Sequence, residues 1–257
     1  KTKVVCIADN IIPHERRFYD NVLTKYFLKQ VDGMIVMSES VKNDLQKFHF
    51  TKAVVYNPHP LFDNFGEKVS KEDACKKLQL DPAKKYILFF GFIREYKGLD
   101  LLLKAFAGGH FQDTELIIAG EYYSDEKKYR QLIADLQIEN RIHQFNHFIA
   151  DEEVNHFFCA ADLVVQPYKH ATQSGVTQIA YHFEVPMIVT NVGGLAEMVP
   201  DSKVGYVVDT NAKALADAME KYFRENKKNV FVSHIKEEKN RFDWEKMVMR
   251  VIEVTRA

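Results

Sequence analysis

A parallel-sheet α/β fold is predicted by three features of the chain. Short apolar runs alternate with helix-length segments along almost its whole length. The runs lack polar alternation: Tyr86–Ile93 (YILFFGFI) is nearly unbroken, as a strand buried on both faces requires. Loops bearing glycine or proline follow the strands and open helices, the pattern of a sheet with helices on both faces.

Taken in order, Lys3–Ala8 is a buried-type strand, and Asp9–Glu15 is a loop broken by Pro13. Phe18–Val31 is helical, with Leu23, Tyr26, Phe27 and Val31 on one face. Arg16, Arg17, Lys25 and Lys29 lie among Phe18, Tyr19 and Phe27, so the helix suits either core packing with a solvated basic side or a membrane surface. Gly33 precedes the strand Met34–Met37, and Ser38 is placed to cap the helix Glu39–Phe48. The strand Ala53–Tyr56 is broken by Asn57-Pro58-His59-Pro60, and Pro58–Phe65 reads as a linker. Ser70, with Asp73 three later, caps the next helix.

From there the alternation is regular. Strands are expected at 86–93, 115–119, 142–145, 163–165, 186–190 and 204–208, and helices at 99–106, 126–136, 151–159, through about 183, and 212–223. Asp243–Arg256 is amphipathic, with Trp244, Met247, Val248, Val251 and Val254 on one stripe.

Two loops attract chemistry. In Pro167–Glu197 a strand ends at Pro167, Gln173-Ser174-Gly175-Val176 open a helix, and Gly193-Gly194 form a second turn before another helix. A helix N-terminus offers free amides and partial positive charge, and Gly175 permits close approach to the main chain, so this loop suits a diphosphate or is an ordinary strand-to-helix turn. Arg94-Glu95-Tyr96-Lys97-Gly98 follows the 86–93 strand and sets two cations at the strand edge where open α/β sheets bind ligands. A solvated surface loop is the alternative.

The 257 residues are enough for one or two domains with a sizeable core. A net charge of −1 argues against bulk attraction to nucleic acid. Cys6, Cys75 and Cys159 are odd in number and far apart, as reduced thiols would be. No apolar run approaches the length of a membrane span, and no signal peptide is evident. Asp-x-Asp, His-Glu-x-x-His, Cys-x-x-Cys, Gly-x-Gly-x-x-Gly and the P-loop are all missing, so no metal, dinucleotide or ATP site is signalled.

An ordered set of motifs over roughly residues 50–225 resembles the second domain of the group 1, GT-B glycosyltransferases. It runs through Gly91, Lys97 and Gly98 in GFIREYKG, the helix 101–106, Gly120 after LIIAG, and Ala161-Asp162-Leu163 with Pro167 in AADLVVQPY. It continues with Pro186 in VPMIVTN, and with Gly193-Gly194-Leu195 and Glu197 in GGLAE. Residues 1–60 resemble the last third of that family's first domain, through Asn10, Pro13, His14, Glu15, Asp32 and Ser38. The resemblance implies a complete Rossmann-like donor domain at 61–240 and a partial acceptor-side domain at 1–60. It places in 241–257 a helix that returns towards the first domain. This piece would lack most of the acceptor site and could be inactive alone.

The implied activity is metal-independent sugar transfer, with retention, from a nucleotide-diphosphate sugar to a saccharide or lipid-linked acceptor, with no cofactor beyond that substrate. Arg94 and Lys97 would stabilise the leaving diphosphate. Gly91, Tyr122, His147, Gln173, Ser174, Gly175, Val176 and Glu197 would bind the donor, with Tyr123 and Phe148 among the strand-end positions that line the base pocket in the family, and Asp9 and His14 would face the acceptor. Loop or capping roles are the alternatives for Asp9, His14, Tyr122, His147 and Glu197. The expected location is the cytoplasm, with the inner membrane surface reached through the first domain. Two family glutamates, eight positions apart, fall on Ala171 and Ile179. The family arginine often directly follows the glycine, where Phe92 stands, and Arg94 lies two positions later. A nucleotide-sugar epimerase on the same fold and a non-catalytic nucleotide-binding module remain alternatives.

Overall fold

The computed structural model describes residues 2–13 and 17–256. A small parallel sheet comes first: β1 (Val5–Ala8), β2 (Gly33–Val36) and β3 (Ala53–Tyr56), in that spatial order. Between them run helices α1 (Asp20–Gln30) and α2 (Glu39–Gln46). Ser38 caps α2 by accepting from the Val41 amide at 3.1 Å.

Helix α1 departs from the face expected of it. It buries Leu28, with Val31 just beyond it, while Val22, Leu23, Tyr26 and Phe27 are exposed. Its sheet ends at β1, and no described element covers the helix on that side. Periodicity identified an apolar stripe but not whether anything packs on it.

The second sheet has six parallel strands: β4 (Lys85–Phe90), β5 (Thr114–Ala119), β6 (Ile142–Phe145), β7 (Leu163–Gln166), β8 (Met187–Thr190) and β9 (Gly205–Val208). Their order is β6-β5-β4-β7-β8-β9. The chain winds outwards from β4 to β6, then returns to the other side of β4 with β7. The connections therefore diverge between β4 and β7, and a crevice opens at the carboxyl ends of these two strands.

Successive side chains alternate between two cores. Tyr86, Leu88 and Phe90 of β4 face one, and Ile87 and Phe89 face the other. Helices α3 (Lys71–Leu78), α6 (Asp151–Ala160) and α7 (Gly175–Phe183) cover the first core, and α4 (Leu99–Gly108), α5 (Glu126–Asp135) and α8 (Ala212–Arg224) cover the second. β4 ends at Phe90, short of the predicted Ile93, because Gly91 turns away with φ 91°. The helix expected after Gly193-Gly194 is only the short turn Ala196–Met198. Helix α9 (Lys228–Glu238) was not anticipated, since its polar run buries only Phe231 and Ile235.

Helix α10 (Trp244–Arg256) lies on the first sheet, where Met247 and Val254 meet Ile35 and Met37. Gly33 makes the approach feasible, for a Cβ there would stand 2.3 Å from Val254 Cγ1. The Trp244 indole donates to the Leu61 carbonyl at 2.9 Å, fastening the helix to the linker.

At the amino-terminal edge of the larger sheet, Asp162 gathers several elements. Its carboxylate accepts from Lys71 at 2.7 Å, Lys228 at 2.5 Å and the Tyr86 amide at 2.9 Å, and the Tyr222 hydroxyl donates to its carbonyl at 2.6 Å. Burial pushes the Asp162 carboxyl up, but Lys228 and Lys71 outweigh burial and hold it below the usual aspartate value. Asp162→Ala should cost about 2–3 kcal/mol in denaturant unfolding, below the full range for a buried pair because Lys228 is partly solvated. The folded-state pKa is the lower one, so this stability is complete above the unfolded value near ~3.9 and fades as pH falls through the folded value. Asp162→Asn should correspondingly flatten the acid limb of the stability curve.

Candidate functional site

The crevice between β4 and β7 is built from backbone that tolerates no side chain. Gly120, beyond β5, has φ 143°, and a Cβ there would lie 2.3 Å from the Gly91 carbonyl oxygen. The tips of β4 and β5 therefore run back to back, and Ile93 extends the pairing by donating to the Glu121 carbonyl at 2.8 Å. Gly98, with φ 69°, ends the turn Glu95–Lys97 and starts α4. A Cβ on Gly98 would stand 2.0 Å from the Pro167 carbonyl oxygen, and the Lys169 amide donates to the Tyr96 carbonyl at 2.7 Å. The Lys97 loop and the loop after β7 are thus clamped together.

Between them lies a cavity of about 360 Å³. Gly91 and Lys97 line it from the β4 side, and Gln173, Ser174, Gly175 and Val176 line it from the β7 side. The two stretches singled out in the sequence share this one cavity.

Lys97 is the one cation on the cavity wall among the described residues. The ammonium is sunk among protein atoms, 5.6 Å from the Tyr168 ring centroid and 3.1 Å from where a Cβ on Gly91 would be. Among the described residues no carboxylate pairs with it and no acceptor takes its protons. Burial pushes its pKa down; Tyr96 opposes the shift and Arg94 adds to it. Opposite stands the N-terminus of α7. Its N-cap residue Ser174 makes no side-chain cap, because the hydroxyl pairs with Tyr168 Oη at 3.1 Å. Burial raises the Tyr168 phenol to about 12, so it stays protonated at neutral pH. A half-buried cation and an uncapped helix start facing one cavity are groups that favour an anion.

The other sequence candidates are distributed around this centre. Arg94 lies outside the cavity wall, with its guanidinium 4.9 Å from the Tyr123 ring centroid, and Phe92 occupies the mouth, 4.9 Å from the same ring. Tyr122 turns into the core beside Tyr129, with ring centroids 5.7 Å apart. His147 is exposed and off the wall; the wall residues at that strand tip are Phe148 and Ile149. Glu197 also lies off the wall and accepts from the amides of Glu39 at 2.9 Å and Ser40 at 3.2 Å. Asp9, at the end of β1, accepts a hydrogen bond from the Gln173 side chain. His14 lies outside the described residues.

Where a carboxylate was expected on α7, Ile179 presents a hydrocarbon wall, and Ala171 is buried. The acids on the wall are Glu121 and Asp151, whose carboxylates have no partner among the described residues. Sequence reading passed over both: Glu121 merely follows Gly120, and Asp151 is indistinguishable from an acidic helix start. No group of three metal-ligating side chains occurs among the described residues, and no described helix is long and apolar enough to cross a membrane.

Comparison with known proteins agrees with this geometry. The chain is 23% identical over 272 residues to the D-inositol 3-phosphate glycosyltransferase of Corynebacterium urealyticum, covering 100% of this chain and 63% of that protein. It is 32% identical over 147 residues to the enzyme of the same name from Pseudarthrobacter chlorophenolicus, covering 55% of this chain and 35% of that one. The chain thus spans less than two thirds of either relative. Among solved structures, Anabaena Alr3699/HepE in complex with UDP-glucose superposes with a TM-score of 0.83 at 19% identity, over 98% of this chain and 72% of that one. The family model for glycosyl transferases group 1 matches residues 70–239. That match takes in both sides of the cavity, and the chain belongs to the group 1 glycosyl transferases.

Proposed function

We propose that this chain carries the donor side of an enzyme that transfers a sugar from a nucleoside-diphosphate sugar to a saccharide or lipid-linked acceptor. One observation carries the reading: the unpaired Lys97 ammonium and the uncapped start of α7 face the same cavity at the sheet's switch point. The UDP-glucose complex of HepE, a protein of the same fold, supports a nucleotide sugar as the ligand.

Breaking the bond between the anomeric carbon and the diphosphate leaves growing negative charge on the departing oxygens. Lys97 and the first amides of α7 are fixed beforehand where that charge develops, and they stabilise the transition state more than the ground state. Arg94 adds positive potential from behind the Phe92–Tyr123 pair. In this reading charge compensation falls to these groups without a metal, no cofactor is needed beyond the donor, and transfer retains configuration. Glu121 and Asp151 accept hydrogen bonds from hydroxyls of the donor's ribose or sugar, the task for which Ile179 has no oxygen. The acceptor approaches from the first sheet, past Asp9.

Titration calorimetry with UDP, GDP, ADP, TDP and their glucose or mannose conjugates tests the proposal. One nucleotide series should bind and raise the melting temperature by linkage. Lys97→Met should weaken that binding roughly 10- to 100-fold, the worth of a charge-assisted contact, while raising the melting temperature of the free protein by removing a buried unpaired charge. A lysine that merely supports the fold would instead lower the melting temperature on replacement and leave nucleotide affinity nearly unchanged. Affinity should also fall with rising pH earlier than for an ordinary lysine, since burial depresses the Lys97 pKa and only its protonated form attracts phosphate. Failure of every nucleotide to bind would overturn the reading. Binding without donor hydrolysis or transfer, once the whole protein is assayed, would leave a nucleotide-binding module.

A further inference from the structure

We propose that Glu197 is a positioning residue that couples the cavity's β7 loop to the first sheet. Its carboxylate belongs to the segment after β8, yet both oxygens are engaged at the start of α2, at 2.9 Å from the Glu39 amide and 3.2 Å from the Ser40 amide. Ser38 already serves the Val41 amide, so α2 is capped twice, once from its own sequence and once from the other sheet. A carboxylate on two amides at the positive end of a helix makes charge-assisted bonds, stronger than an ordinary side-chain contact.

The turn that leads to Glu197 is squeezed between the two units. A Cβ on Gly194 would stand 2.6 Å from Ser38 Cβ and 2.1 Å from the Thr172 carbonyl oxygen. Gly193 has φ 46°, and a Cβ there would lie 1.8 Å from the Ala171 carbonyl oxygen. Ala171 and Thr172 run directly into Gln173–Val176, the cavity wall. The same turn therefore touches α2 on one side and the backbone of the ligand loop on the other. A second tie runs in parallel, from Gln173 on the wall to Asp9 at the end of β1. The ligand loop is held to the first sheet at both of these points, and Glu197 supplies the anchor that lies outside the cavity.

The consequence is reciprocal coupling: releasing the anchor loosens the loop, and filling the cavity tightens the anchor. The link to ligand affinity rests on the donor-site reading above, whereas the link between anchor and loop does not. Hydrogen–deuterium exchange on the free 257-residue chain separates the two. In Glu197→Ala the Glu39 and Ser40 amides should lose protection, and so should the first turn of α7, where the Thr177 amide is bonded to the Ser174 carbonyl at 3.1 Å. Strands β4 to β6 should be unchanged. Glu197→Gln, which keeps an acceptor oxygen, should restore most of the protection. Asp9→Ala should loosen the α7 start and, by the same reciprocity, lower protection at Glu39 and Ser40 by less than Glu197→Ala does. With UDP, GDP and ADP as probes, the Kd of whichever binds the parent chain should rise about fivefold or more in Glu197→Ala. Opened α2 amides with an unchanged α7 start would overturn the proposal, as would protection at Glu39 and Ser40 that survives Glu197→Ala. An unchanged Kd in Glu197→Ala would overturn the coupling to ligand. If none of the probes binds the parent chain while the exchange pattern appears as described, the donor-site reading fails and the anchor stands.

Discussion

The site depends on one electrostatic circumstance: the Lys97 ammonium is half-buried and, among the described residues, has no ion-pair partner. A charge in that position costs stability, because removal from water disfavours the ionised form and no carboxylate returns the loss. The surrounding structure is arranged to hold it there regardless. Gly98 is pressed on the Pro167 carbonyl, Gly91 leaves the space into which the ammonium reaches, and Tyr168 gives it an aromatic face. Ser174, which could have capped α7 and blunted its positive end, is instead turned to Tyr168. Each of these choices keeps positive potential unneutralised at one point, which makes sense for a group whose partner arrives from solution.

Much of this was readable from residues alone. Buried parallel strands announce themselves as unbroken apolar runs, and the loops at their carboxyl ends are placed by topology, so the meeting of Lys97 with Gly175 followed from strand order. What escaped reading was decided by contacts between distant segments. Tyr122 and His147 sit at the correct strand tips, but a loop has no periodicity to say which residue faces the crevice: at one tip it is Glu121, and at the other Ile149 beside the Phe148 that the sequence does suggest. The exposed side of α1 escaped for the same reason, since an amphipathic stripe records apolar character and not what covers it. Helix α9 has too few apolar positions to show a period at all, and it earns its place through Phe231, Ile235 and the Lys228–Asp162 pair.

Glu197 illustrates a subtler failure. Its motif, two glycines followed by a glutamate, lies beside a ligand loop and reads as part of it. The glycines do serve that loop, since their backbone packs on Ala171 and Thr172. The glutamate reaches the other way, to amides 157 and 158 positions distant. A contact of that sequence separation leaves no trace in local pattern, yet it determines how a motif's parts divide their labour.

The cavity is consequently made of two kinds of constraint with different freedom to change. One part of it is framed by backbone against backbone: Gly120 on the Gly91 carbonyl and Gly98 on the Pro167 carbonyl, with Gly193 on the Ala171 carbonyl supporting the loop from outside the cavity. Any side chain at those points meets main-chain atoms that cannot rotate aside, so a substitution must move a strand tip. Ile179 belongs to the core itself, whereas part of the remainder of the wall, with Phe92, Glu121, Phe148 and Asp151, is made of side chains outside the two cores. Substitution there alters which hydroxyls and rings are recognised without disturbing the cation or the helix start. A fold divided in this way could keep the proposed anion contact while exchanging the group attached to the anion, since Glu121 and Asp151, without partners among the described residues, lie on the wall apart from the Lys97 loop and the start of α7.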